Sequence, residues 1–155
     1  MDIVVYNRGT IQNFDTDTPH IIISITGDLD IDFPSILTEN KESCLGILRL
    51  RFWDTDKEAV WMEKSGVGVF KPQQAKQILE LIEKYKDKLK LIVCQCEGGI
   101  SRSSGTAGAL SKILNEDDTV FFKAPYSPNR LVYRTILNVY RGIYHNNNER
   151  SLTCQ

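Results

Sequence analysis

Hydrophobic and polar positions follow two rhythms along this chain, and the switches between them lay out an order of elements. His20 to Thr26 is the densest apolar stretch, with Ile21, Ile22, Ile23 and Ile25 pointing to both sides of an extended segment. A strand of that kind is buried on both faces, as in a parallel sheet. Asp2 to Tyr6 is rich in β-formers and predicts a first strand, while the polar Asn7 to Pro19 predicts a loop. Gly27 and Asp28 stop the second strand, and Pro34 to Asn40 predicts a short helix with Pro34 in its first turn. Gly46 to Phe52 sets Ile47, Leu48, Leu50 and Phe52 among Arg49 and Arg51, a third strand. Residues 57–70 keep neither rhythm and predict a loop or short insertion able to fold over a nearby site.

The period then becomes helical. From Lys71 to Leu89, the residues Ala75, Ile78, Leu79, Ile82 and Leu89 fall on one face, and Pro72 suits the first turn. The opposite face carries Gln73, Lys76, Glu80, Glu83, Lys84 and Asp87 and is a solvated one. Lys90 to Gln95 returns to an extended pattern. Arg102 to about Leu114 predicts a slim helix that buries Ala107, Leu110, Ile113 and Leu114, with Gly105, Gly108 and Ala109 permitting close packing. Ser127-Pro128 reads as the cap and first turn of a last helix to about Tyr144, with Val132, Ile136, Val139, Tyr140 and Ile143 inward. Residues 146–155 are polar and are expected to fray. Strands alternating with helices define an α/β class: one domain over residues 1–155, with a central, mainly parallel sheet of about four or five strands and helices on both faces.

Composition narrows the function classes. A hydrophobic share of 41% and a charged share of 25% are ordinary for a soluble globular protein, and a net charge of −1 gives no support for a nucleic-acid or membrane partner. No basic-then-apolar pattern opens the sequence, and no apolar run is long enough to cross a bilayer. Four cysteines in a chain of this length do not make a disulfide framework, and a free nucleophilic thiol needs reducing surroundings. The expectation is a cytoplasmic monomer. Cys94 and Cys96 are paired as Cys-x-Cys, yet neither His20 nor His145 lies near them, so no metal site is expected. Gly66-x-Gly68 lacks the third glycine of a nucleotide fingerprint and reads as a turn.

The chemistry concentrates in Leu91 to Leu110. An apolar strand runs into Cys96, the segment Glu97-Gly98-Gly99-Ile100-Ser101 turns, and Arg102-Ser103 opens a small-residue helix. Gly98 and Gly99 let successive N–H groups converge on one point. The helix N-terminus aims its free N–H groups at the same place, and Arg102 adds a planar fork of donors that suits two phosphate oxygens. That field favours a thiolate, the attacking form of cysteine. A Cys and an Arg at this spacing arise by chance about 0.2 times in such a composition, but adding Gly99 and Ser103 lowers this to roughly 0.001, so composition alone does not explain the pattern.

Cys96-(x5)-Arg102-Ser103, with Gly99 in its middle, resembles the active-site loop of the cysteine-dependent protein tyrosine phosphatases, the small dual-specificity type above all. The resemblance covers about His20 to Tyr144 and implies the same α/β architecture. It implies that Cys96 forms a phosphocysteine, that Arg102 holds the phosphoryl oxygens with the loop from Glu97 through Gly98, Gly99, Ile100 and Ser101, and that Ser103 helps the thiolate leave. It also implies a general-acid aspartate on a loop after an earlier strand. Asp54 stands there, in Phe52-Trp53-Asp54, with Asp56 the second candidate. Gln95 stands where the family usually carries histidine. The implied substrate is a phosphorylated protein or peptide, without cofactor. The acidic Glu97 speaks against a highly charged inositide and for phosphotyrosine, with phosphoserine and phosphothreonine as further substrates. A phosphoresidue-binding module using the same loop stays open as the alternative. Tyr126 and Asn129, before the last helix, read first as turn and cap residues, with a place at the border of the site as the other reading.

Overall fold

A computed structural model describes the backbone of residues 1–152 and the side chains of residues 1–143. Four strands form one sheet: β1 (Asp2–Tyr6), β2 (His20–Thr26), β3 (Cys44–Arg51) and β4 (Leu91–Gln95), in the order β1-β4-β2-β3. All pairings are parallel, with Ile21 beside Ile92 and Ile23 beside Cys94 on one side, and Ile3 and Val5 beside Ile92 and Cys94 on the other. Every residue of β2 is buried, as its run of isoleucines requires.

Strand alternation sorts these side chains onto two faces. Ile21, Ile23, Ile25, Ile92 and Cys94 join Ile78 and Ile82 of α3 (Pro72–Tyr85), Ala107 and Leu110 of α4 (Arg102–Asn115), and Val132 and Ile136 of α5 (Arg130–Leu152). Ile22 and Val93 point the other way, onto Ile11, Phe14 and Ile36. The faces are therefore covered unequally. Three long helices pack on one; the other is closed by the four-residue α1 (Arg8–Ile11) and the segment before a 3-10 turn at Leu37–Asn40.

Several elements depart from the sequence pattern. The stretch Asn7 to Pro19 contains α1, because Asn7 accepts from the Thr10 N–H while Thr10 accepts from the Asn7 N–H. A helix this short shows its cap but no period. The expected Pro34–Asn40 helix shrinks to the 3-10 turn, since Ile36 supplies no capping side chain. Residues 57–70 hold α2 (Val60–Ser65), ended by Gly66 in the left-handed region at φ 72°. Helix α3 stops at Tyr85, and Leu89 is buried from the turn that follows. Leu114, Tyr140 and Ile143 are exposed rather than inward, while Leu137 is buried. Periodicity shows which face of a helix is apolar, but not how far along it a partner reaches. Helix α5 carries its backbone past Tyr144 to Leu152, so the tail 146–155 lies partly in this helix and partly outside the described residues.

From β2 the chain passes to β3 on one side, whereas β4 lies on the other. This reversal opens a crevice at the carboxyl ends of β2 and β4, the usual ligand position in a parallel sheet. Gly27 and Cys96 immediately follow those two ends.

Candidate active site

Strand β4 delivers Cys96 to the base of this crevice, 2% exposed. The loop beyond it folds back on the end of β1. Gly99 has φ +65°, and a Cβ there would stand 2.9 Å from the Asn7 nitrogen and 3.0 Å from the Tyr6 carbonyl carbon, so only glycine fits. Two bonds close the seam: Cys96 N–H to the Tyr6 carbonyl (3.4 Å) and Arg8 N–H to the Glu97 carbonyl (3.1 Å). Loop carbonyls are also taken from the far side, Ile100 by the Ser127 N–H at 3.0 Å and Ser101 by the Asn129 N–H at 2.9 Å. Among the described residues the N–H groups of Glu97, Gly98, Gly99, Ile100 and Ser101 have no hydrogen-bond partner. Carbonyls tied off and N–H groups left over make an anion-binding concavity.

The loop brings three expected side chains together. The Cys96 Sγ lies 3.0 Å from the Ser103 Oγ. Arg102, 8% exposed, donates through one Nη to the Phe52 carbonyl at 3.0 Å. Its Nε is buried and has no hydrogen-bond partner among the described residues. A buried charged donor left so is costly, and an anionic ligand oxygen would satisfy it. Beneath the loop, Gln95 and Ser24 are both fully buried. The Ser24 hydroxyl donates to the Gln95 amide oxygen at 2.5 Å, and the Gln95 amide nitrogen donates to the Cys96 carbonyl at 2.9 Å. The amide thus fixes the Cys96 peptide with a neutral group.

Asp54 reaches the loop from the end of β3. Its Oδ1 accepts from the Ser101 hydroxyl at 2.7 Å and from the Asn129 amide at 3.0 Å, leaving Oδ2 without a partner among the described residues. Asn129 also caps α5, its amide oxygen accepting from the Val132 N–H at 3.1 Å. The close approach of α5 to α4 depends on Gly105, where a Cβ would meet the Asn129 carbonyl oxygen at 2.6 Å. The 52–56 segment is held by the Phe52 N–H to the Thr26 carbonyl and the Trp53 N–H to the Gly68 carbonyl, both 3.0 Å. The Trp53 ring bonds the Ser65 hydroxyl at 3.3 Å and stacks edge-on to Trp61 with centroids 5.1 Å apart. Helix α2 therefore packs against the acid-bearing segment through Trp53. Among the described residues the Asp56 carboxylate makes no hydrogen bond or ion pair, so of the two candidate acids the structure joins Asp54 to the loop.

Other residues take simpler places. Glu97 is not a free negative charge: Arg8 pairs with it at 2.8 Å and Thr26 donates to it at 3.3 Å. Cys94 lies in the core, where burial first and the neighbouring Cys96 second push its thiol up, keeping it neutral. His20 is buried between the Thr18 carbonyl and the Thr38 hydroxyl. Among the described residues no three His, Cys, Asp or Glu gather as metal ligands. Tyr126 packs on Phe121. Arg8 and Ser24 are the parts that sequence reasoning missed. Asn129 fills both of its expected places, helix cap and border of the site, whereas Arg8 sits 89 residues from its partner.

Fold and site together define an α/β phosphatase-like protein with a cysteine–arginine loop at a strand end. The fold is that of the small cysteine-dependent protein tyrosine phosphatases, shown by likeness to solved structures. PTPMT1 is 14% identical, with a TM-score of 0.57, over 96% of this chain and 95% of that one. PTPMT1 in complex with PI(5)P gives 14% and 0.53 over 84% and 81%. A human tyrosine phosphatase-like serine/threonine/tyrosine-interacting protein gives 20% and 0.52 over 83% and 79%. No protein-family model and no curated protein sequence matches the chain.

Proposed function

We propose that the protein is a phosphomonoester hydrolase acting through a phosphocysteine, on phosphotyrosine and further on phosphoserine and phosphothreonine in proteins. The observation that carries this reading is the buried Cys96–Ser103 pair with the neighbouring Arg102, whose buried Nε has no hydrogen-bond partner among the described residues. The Cys96 thiolate attacks phosphorus, while Arg102 and the N–H groups of Glu97 to Ser101 hold the equatorial oxygens. Asp54 protonates the leaving oxygen, and then takes a proton from the water that attacks the phosphocysteine. Ser103, 3.0 Å from the sulfur, stabilises the departing thiolate. Each step needs only these side chains, so the reading includes no cofactor. The proposal includes a reducing compartment, the cytoplasm, in which a free thiol persists, and a monomeric chain. Among the described residues no helix is long and apolar enough to cross a membrane.

Rapid mixing with an aryl phosphate tests the reading: a burst of phenolate, with phosphate trapped on the chain by fast denaturation, is expected. Gln95 in the place usually held by histidine favours a second reading, a phosphoresidue-binding module, which gives neither burst nor turnover but keeps phosphopeptide affinity.

Two variants probe the donors. Arg102→Lys is expected to lower kcat/KM for an aryl phosphate by roughly 10²–10³-fold, since an ammonium cannot reproduce the planar fork. Asn129→Asp retains a capping oxygen for α5 but sets a second carboxylate against Asp54. Thermal stability is expected to change little, while turnover of tyrosyl phosphate falls about tenfold and turnover of an aryl phosphate with an acidic leaving group falls less. An equal loss on both substrates would show that Asn129 acts on folding alone.

A further inference from the structure

The loop after β2 alternates charge and apolar surface. Asp28-Leu29-Asp30-Ile31-Asp32-Phe33 carries three carboxylates, three apolar side chains and no cation. Contacts at both ends set its place. Gly27 lies at its foot, where a Cβ would stand 2.8 Å from the Trp53 ring and 3.4 Å from an Arg102 Nη. Arg51 donates to the Asp28 carbonyl and sits 4.7 Å from the Phe33 ring centroid. Arg8 donates to the Asp32 carbonyl with one nitrogen and holds Glu97 of the anion loop with the other. Leu29 approaches Gly66, at the end of α2. The segment thus links the anion loop to the acid-bearing side of the crevice.

Backbone carbonyls, not carboxylates, make these anchoring bonds. Among the described residues Asp28, Asp30 and Asp32 form no ion pair, and the only bond to their carboxylates is the Asp30 N–H to Asp28 at 3.0 Å. Leu29, Asp30, Ile31 and Asp32 are exposed. Across the crevice Asp56 and Glu63 are also exposed and unpaired among the described residues, but Lys57 and Lys64 balance their charge, with Trp61 exposed between them.

Arg102 ties this loop to the anion site: a Cβ on Gly27, at the foot of the loop, would stand 3.4 Å from one Nη of the guanidinium whose buried Nε has no hydrogen-bond partner among the described residues. A phosphoryl group that satisfies it brings whatever carries that group against the 28–33 loop. A headgroup bearing further phosphates would meet three carboxylates and be repelled, whereas a cationic neighbour would be attracted. We infer that the substrate of this site is a phosphorylated polypeptide with Lys or Arg beside the phosphoresidue, received by the 28–33 loop, rather than a polyanionic lipid headgroup. The inference rests on the phosphatase reading only for the anion site itself.

The test compares kcat/KM, at low ionic strength, for two phosphotyrosine peptides that differ only in flanking Arg or Glu, and for a phosphatidylinositol phosphate in phosphatidylcholine vesicles. The Arg peptide is expected to be favoured roughly tenfold, the combined worth of three exposed charge pairs, with the preference shrinking as salt rises. In Asp30→Lys/Asp32→Lys the ratio is expected to fall to about one or below. Because it is a ratio within one preparation, loss of folded protein cancels. A wild-type ratio of one or less, a ratio unmoved in the double variant, or vesicles hydrolysed faster than both peptides overturns the inference while the phosphatase reading stands. If neither peptide nor an aryl phosphate is hydrolysed, the phosphatase reading fails instead. The rim is then judged by binding of the same peptide pair to the Cys96→Ser chain, where equal affinities overturn the inference and the same preference supports it.

Discussion

Cys96→Ser is expected to abolish turnover, a loss on the order of 10⁵-fold or more, while phosphate and phosphopeptides still bind. The two halves of this result come from different parts of the site. In the proposed mechanism attack on phosphorus belongs to the sulfur alone, and a serine hydroxyl at that place neither ionises as readily nor leaves as well in the second step. Anion binding belongs to the Arg102 guanidinium and the N–H groups of the loop, whose shape is set by Gly99 against Asn7 and by the bonds to Tyr6 and Arg8. None of those contacts uses the sulfur. The measurement pairs steady-state turnover of an aryl phosphate with calorimetric binding of phosphate or a phosphotyrosine peptide. Turnover near wild type would remove Cys96 from the mechanism. Loss of binding together with turnover would show instead that the sulfur supports the loop.

Asp54→Asn is expected to cut turnover of tyrosyl and alkyl phosphates by roughly 10²–10⁴-fold, the usual worth of a positioned proton donor. The loss should shrink for a leaving group acidic enough to depart unprotonated, such as a fluorinated nitrophenol. The geometry behind the expectation is the docking of Oδ1 by Ser101 and Asn129, which among the described residues leaves Oδ2 unbonded and able to carry a proton in the proposed mechanism. Asp56→Asn should cost little on either substrate, since among the described residues its carboxylate contacts no part of the loop. Exchange of these behaviours would make Asp56 the acid. If neither variant depends on the leaving group, Glu58 and Glu63 become the next candidates. Glu58 is already paired with Lys71, which holds its carboxyl below the usual range and makes it the poorer donor.

The sheet was legible in the chain because burial on both faces leaves a local mark. The run of isoleucines in β2 and the apolar approach to Cys96 need no partner to be recognised, and neither does the amphipathic period of α3. The Cys96–Arg102–Ser103 spacing was equally local, since one turn and one helix start make the whole cradle. Short elements were less visible: α1 rests on a cap and a Thr, and α2 on a left-handed glycine, with too few residues for a period.

The sequence by itself determined which segments are buried strands, the long helices and the loop that gathers cysteine, arginine and serine, because each is encoded within a few neighbouring residues. Only the tertiary structure decided which aspartate meets that loop, since Asp54 is 47 residues from Ser101 and 75 from Asn129. It also decided that Arg8 neutralises Glu97 across 89 residues, and that Ser24 orients Gln95 across 71. Such contacts depend on the register of parallel strands and the seating of α5 on Gly105, and a one-dimensional pattern records neither.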